Sequence, residues 1–159
     1  MSVAFTREED SESNAANLPD RPVSTHPNLV TPEGLARLDA ALAEARAAYA
    51  AAQAGGEVKT DRTAMARATR DLRYYAARRA SAQLMAPGPG DGRLAFGGVV
   101  GIEREDGRRQ SFRVVGEDEA DPAKGAVSYV SPLAQALLGK QVGDVAVVAG
   151  QEVEVISVG

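Results

Sequence analysis

The chain has 159 residues, of which 44% are hydrophobic and only 4% aromatic, with a formal net charge of −4 and no cysteine. That length suits one ordinary domain or two small ones, and a core built mainly from Ala, Val, Leu and Ile. Without cysteine, disulfides, thiolate metal sites and a cysteine nucleophile are excluded. The single histidine, His26, lies in a polar, proline-containing stretch; it cannot build a multi-histidine metal site and is read as a solvated residue.

No apolar run approaches the roughly 18 residues of a membrane span. Residues 1–10 are acidic, whereas a secretory leader begins basic and continues apolar. A cytoplasmic location without membrane association is therefore expected. Charge is spread unevenly. Residues 1–30 carry two basic and five acidic side chains (−3), residues 31–85 nine and six (+3), and residues 86–159 seven and eleven (−4). No dense basic face of the kind that grips duplex phosphates is evident, so a protein partner is favoured as the main docking surface.

In chain order, residues 1–28 are rich in Ser, Asn, Asp, Glu and Pro without hydrophobic period, which predicts a disordered acidic tail. A helical hairpin is predicted over residues 29–86. Thr31 can cap its first helix, and Pro32 suits the first helical position. Leu35, Leu38, Leu42, Ala45, Tyr49 and Ala52 then follow at alternating spacings of three and four, a sustained apolar seam. Gly55 and Gly56 stop that helix.

A second helix is predicted from about Arg62 to Leu84, with Met65, Ala68, Leu72, Tyr75, Arg79 and Ala82 repeating the spacing. The aliphatic stem of Arg79 can lie along the seam. Two such helices joined by a short turn form an antiparallel hairpin roughly 35 Å long at 1.5 Å per residue. Arg70, Arg73, Arg78 and Arg79 are read as a solvated face partly paired with Asp39 or Glu44 across the hairpin, with Tyr74 and Tyr75 packed at its base.

Residues 87–93, with Pro87, Gly88, Pro89, Gly90 and Gly92, read as a linker. Beyond it, over residues 94–159, come short apolar and β-branched runs: 94–104, 111–115, 126–130, 145–149 and 153–158. Asp106-Gly107 marks a hairpin turn between the first two, and Gly143-Asp144 a turn before the fourth. Ser131 followed by Pro132, with Gly139 beyond, predicts one short helix whose Leu133 and Leu137 face the sheet. The fold class expected is α+β: a helical hairpin followed by a small domain of about five strands and one helix.

The C-terminal segment carries Phe112-Arg113-Val114-Val115-Gly116-Glu117-Asp118-Glu119-Ala120-Asp121, then Val127-Ser128-Tyr129-Val130-Ser131-Pro132-Leu133, then Gly139-Lys140 and Gly143-Asp144. In order and spacing these resemble the C-terminal domain of the bacterial Gre transcript-cleavage factors, over roughly residues 94–158. More weakly, Thr31-Pro32-Glu33-Gly34-Leu35 resembles the entry of that family's coiled coil, and residues 78–84 its exit.

The resemblance implies an FK506-binding-protein-like C-terminal domain that docks beside the secondary channel of RNA polymerase core, with the hairpin inserted and in indirect contact with nascent RNA and DNA. It implies no catalytic residue in this chain and no metal of its own. At most the chain stimulates the polymerase's intrinsic RNA cleavage, through magnesium shared with the polymerase active centre.

Two departures bear on that role. The family tip Gly-Asp-Leu-x-Glu-Asn-x-Glu-Tyr is replaced by Gly55-Gly56-Glu57-Val58-Lys59-Thr60-Asp61-Arg62, and the hairpin is shorter by about three turns per helix, roughly 15 Å of reach. Glu57 and Asp61 are the only acids at the tip able to offer hard oxygen ligands, and Lys59 and Arg62 offset them. The alternative role is a channel-occupying competitor or modulator without cleavage activity, like the short-hairpin Gre relatives.

For polymerase binding, the resemblance points to the Ser131-Pro132 corner, where the residue types equally suit a helix start. The acidic strip Glu117, Asp118, Glu119 and Asp121 can steer docking onto basic residues or simply keep the domain soluble. Prolyl isomerase chemistry is disfavoured because the domain offers only Phe96, Phe112 and Tyr129 as aromatics.

Overall fold

The computed structural model describes residues 18–55 and 59–159. They form two compact units, one of Leu38–Ser81 with the residues up to Thr25, the other of His26–Arg37 with Ala82–Gly159. The division thus assigns the start of the first helix to the second unit.

In the first unit, helix α1 (Pro32–Ala54) contributes its length from Leu38 onward, and helix α2 (Lys59–Ser81) lies against it. Each helix has 23 residues, about 35 Å. The seam read from the sequence is the packed one: Leu38, Leu42, Ala45 and Ala68 are buried, and Tyr49, Ala52, Met65, Leu72, Tyr75 and Arg79 partly so. The Arg79 Nε–Asp39 Oδ1 pair at 2.5 Å ties the early part of α1 to the end of α2, which fixes the antiparallel sense.

Arg78 departs from the expected solvated face, being only 2% exposed. It stands four residues after Tyr74 and three after Tyr75, on the same side of α2 as both rings. Those rings meet edge to face with centroids 5.1 Å apart. Arg21 stacks its guanidinium 3.9 Å over Tyr74 and pairs with Asp71 at 3.3 Å, while Asp20 pairs with Arg73 at 3.3 Å. The stretch from Leu18, expected within a disordered tail, therefore has defined partners on α2; residues 1–17 lie outside the described residues.

Helix α2 starts three residues earlier than the spacing predicted and ends at Ser81, not Leu84. The reason is competition for backbone bonds. Gln83 N–H donates to Asn28 O (2.8 Å) and Met85 N–H to Val30 O (3.1 Å). These pair β1 (Leu29–Val30) with β2 (Gln83–Leu84) in parallel.

The main sheet of the second unit has five strands: β3 (Val99–Arg104), β4 (Arg109–Val115), β5 (Ala126–Ser128), β6 (Val145–Val148) and β7 (Gln151–Val158), in the order β5-β4-β3-β7-β6. Only the β4–β5 pair is parallel. Residues 94–98, expected as strand, are not: Leu94 exchanges backbone bonds with Lys140 and Gly139, and Gly97 N–H donates to Val114 O.

At the β3–β4 turn, Asp106 accepts from Arg108 N–H at 3.0 Å, a bond that holds its carboxyl below the usual carboxylate range. Helix α3 (Pro132–Leu137) is capped by Ser131, whose hydroxyl oxygen accepts from Ala134 N–H at 3.2 Å. Strand alternation places Val100, Ile102, Val114, Val127, Ala146, Val153 and Val155 in one core with Leu94, Ala134 and Leu137.

Within this unit the start of α1 is held by a buried carboxylate. Thr31 caps the helix through Gly34 N–H (3.0 Å). The Thr31 hydroxyl in turn donates to Glu119 Oε1. Glu119 Oε2 accepts from Thr31 N–H (3.2 Å) and Gly116 N–H (3.3 Å). Both glycines are required by closeness. A Cβ on Gly34 would lie 2.2 Å from the Glu119 carboxyl, and one on Gly116 2.2 Å from Leu29 O.

Glu33 pairs with Arg113 Nη2 at 3.3 Å across an exposed surface. Its carboxyl is held below the usual glutamate range, first by its own backbone N–H and then by Arg113.

Glycine in a helix normally costs about 1 kcal/mol relative to alanine. Gly34→Ala is nonetheless expected to lower stability by about 2 kcal/mol, because the triply bonded carboxylate cannot retreat from an added methyl. In a Glu119→Ala background the same change is expected to stabilise, a sign reversal that urea denaturation reads directly. Glu33 is expected to titrate below the ordinary range by NMR. Its contribution to stability is present above the unfolded-state pKa and lost as pH falls through the lowered folded value; Arg113→Gln moves the titration part of the way back up.

Candidate functional site

Each residue singled out in the sequence has a different standing in the fold. Glu117, Asp118 and Glu119 form a single 3-10 turn after β4, and Asp121 precedes a second, Pro122–Lys124. Three consecutive positions in so tight a turn point in different directions, so the acids do not make one face. Asp118 is exposed and Glu117 half-buried. Asp121 is half-buried, with Lys124 Nζ 4.0 Å away.

Glu119 is only 6% exposed, and its carboxylate is consumed by Thr31 and Gly116. It is corrected from a surface docking residue to an internal clamp. The capping pattern Thr31-Pro32 and the glycines at 34 and 116 were visible in the sequence, but nothing in it said that this glutamate was their partner.

Ser131 and Pro132 form the start of α3. Ser131 is half-buried by its cap, and Pro132 is exposed. The approach to this helix start is braced by Tyr129. Its ring meets Phe96 edge to face at 5.7 Å, its hydroxyl donates to Pro27 O at 2.5 Å, and its carbonyl accepts from Gln135 Nε2 at 2.7 Å. Tyr129 is a residue the sequence reading did not assign here; its place between a buried valine and a helix cap was the available signal. Exposed Asp118 thus sits on a turn pinned by Glu119, and exposed Pro132 follows a segment braced by Tyr129.

At the tip, Glu57 lies outside the described residues, and Asp61 falls in the first turn of α2. Among the described residues no three His, Cys, Asp or Glu side chains gather so as to hold a metal ion, and no helix is long and apolar enough to cross a membrane.

The two kinds of acid are separable by mutation. Glu119→Gln is expected to cost about 2 kcal/mol, the usual scale for a charged buried hydrogen-bond partner. Asp118→Asn is expected to stay within about 0.5 kcal/mol. Paired urea melts of the two variants decide whether Glu119 belongs inside.

Residues 89–159 match the family model described as transcription elongation factor, GreA/GreB, C-terminal. Among curated proteins, the chain is 43% identical over 76 residues to the transcription elongation factor GreB of Yersinia pestis, covering 47% of this chain and 44% of that protein. It is 38% identical over 93 residues to the transcription elongation factor GreA of Desulfovibrio desulfuricans, covering 57% and 56%. The matches therefore span about half the length of these relatives.

Among solved structures, the GreA factor homolog 1 (Gfh1) of Thermus thermophilus aligns over 84% of this chain and 99% of its own, at 23% identity and a TM-score of 0.40. A GreA/GreB factor from Nitrosomonas europaea aligns over 82% and 97%, at 16% identity and a TM-score of 0.38. At those scores the superpositions carry no argument, and the likeness rests on the sequence of the C-terminal domain. The likeness to the GreA/GreB family is thus one of the C-terminal segment, residues 89–159.

Proposed function

We propose that the chain is a Gre-type regulator of transcription elongation that binds RNA polymerase core through its C-terminal domain, beside the secondary channel, with the helical hairpin entering that channel. The observation that carries this reading is the match of residues 89–159 to the GreA/GreB C-terminal family. Asp118 on its braced turn, and Ser131 and Pro132 at the start of α3, supply the docking residues. Acidic side chains there speed encounter with a basic partner and fade with salt. The chain performs no chemistry itself; any contact with RNA and DNA is made within the elongation complex.

A second reading is favoured by the hairpin. Helices of 23 residues give about 35 Å of reach, and the family's acidic tip motif is replaced by residues 55–62 with Lys59 and Arg62 beside the acids. Two carboxylates flanked by two cations make a poor share of a magnesium shell. On this ground the chain occupies the channel as a competitor or modulator. Any magnesium involved belongs to the polymerase active centre, with Glu57 and Asp61 as the residues that would approach it.

The test is a backtracked elongation complex with magnesium, followed by cleavage of the RNA 3′ end, with and without a cleavage-active Gre factor. The expected result is little cleavage by this chain alone and suppression of the active factor's cleavage. Cleavage by the chain that Glu57→Gln and Asp61→Asn abolish would instead make it a cleavage factor. No effect in either reaction at saturating concentration would overturn polymerase binding. Asp118→Lys is expected to weaken the effect severalfold, and more at low salt than at high.

A further inference from the structure

Strand β6 ends the five-stranded sheet, and its edge away from β7 pairs with no strand among the described residues. Such an edge is ordinarily blunted by lysine, proline or a bulge; residues 145–148 read Val-Ala-Val-Val. Ala146 turns into the core, so Val145 and Val147 turn out, 55% and 62% exposed. Val142, just before the strand, is 60% exposed as well.

The neighbouring strand adds charge on the same outer face. Val145 stands opposite Glu154, and Val147 opposite Glu152. Both glutamates are exposed, and neither has an ion-pair partner among the described residues. Glu154 also faces Glu103 across β3, a like-charge juxtaposition of the kind that weakens a sheet; Glu103 itself is answered by Arg109 at 3.0 Å. Bare valines on a free edge and a like-charge pair one strand in are each locally unfavourable. Their coincidence on one patch marks a surface that is completed by something else.

We propose that the edge of β6 accepts an extended peptide segment, from a protein partner, in which basic and apolar residues alternate. Strand addition would satisfy the backbone edge. A residue of the added strand opposite Val145 lies two strand spacings, roughly 10 Å, from the backbone of Glu154. A lysine or arginine there lays its stem over the valine and brings its head to the carboxylate. A second copy of this chain fits less well. Edge-to-edge pairing of two β6 strands would cover the valines but leave four glutamates unanswered.

None of these residues is among those proposed to dock on polymerase, and the test is made without polymerase, so failure here leaves the Gre-type reading untouched. The full chain, labelled with nitrogen-15, is titrated with a ten-residue peptide alternating lysine and valine, and with a control alternating glutamate and valine. The expected result is that the basic peptide shifts the amides of Val145 and Val147, and that the control does not. Glu152→Gln with Glu154→Gln is expected to weaken binding roughly fivefold, the scale of two exposed ion pairs, with the rest of the spectrum unchanged. Val145→Lys with Val147→Lys is expected to abolish it. No shift, shifts centred elsewhere, equal binding of the acidic control, binding undiminished by the glutamine changes, or self-association through β6 would each overturn the proposal.

Discussion

One buried carboxylate organises the C-terminal unit. Glu119 closes its own turn through Gly116 N–H and takes both the amide and the hydroxyl of Thr31. Thr31 is thereby committed twice, as acceptor to Gly34 and donor to Glu119. A buried charge of this kind is tolerated only when its hydrogen bonds are complete, so the positions of residues 29–34 and 116–119 are mutually determined. The glycines at 34 and 116 follow from it, since each leaves room that a side chain would take.

The same constraint sets what is left for the surface. With Glu119 turned inward, the strip after β4 offers Asp118 and, in part, Glu117 and Asp121. The Ser131-Pro132 corner is fixed from the other direction, by the Ser131 cap and the Tyr129 ring and hydroxyl. Rigid backbone under exposed polar residues is a suitable base for recognising a protein surface, because little ordering remains to oppose binding.

Much of this was legible in the chain itself. The three-four spacing gave the hairpin seam, because burial on a helix repeats with that period. Ser131 and Pro132 gave α3, and the β-branched runs gave the five strands. The short pairing of β1 with β2 was not legible: two residues carry no measurable period, and the bonds that end α2 at Ser81 come from residues more than fifty positions earlier. The same distance hid the role of Glu119, which local pattern could only count as one more surface acid. Residues 94–98 looked like strand by composition, yet their backbone partners are a helix end and a neighbouring strand. At the tip, the sequence showed which motif is missing, and residues 56–58 lie outside the described structure.

The pairing of Leu29–Val30 with Gln83–Leu84 also says something about how such a chain can change over evolutionary time. The two ends of the segment between them are clasped by backbone bonds that are indifferent to its length. The hairpin is in effect a cassette inserted into a domain assembled from two separate stretches of chain. Whole helical turns can be gained or lost within it, in matched pairs, without disturbing Glu119, Thr31 or the sheet. Hairpin length and the fold of the C-terminal unit are thus inherited separately.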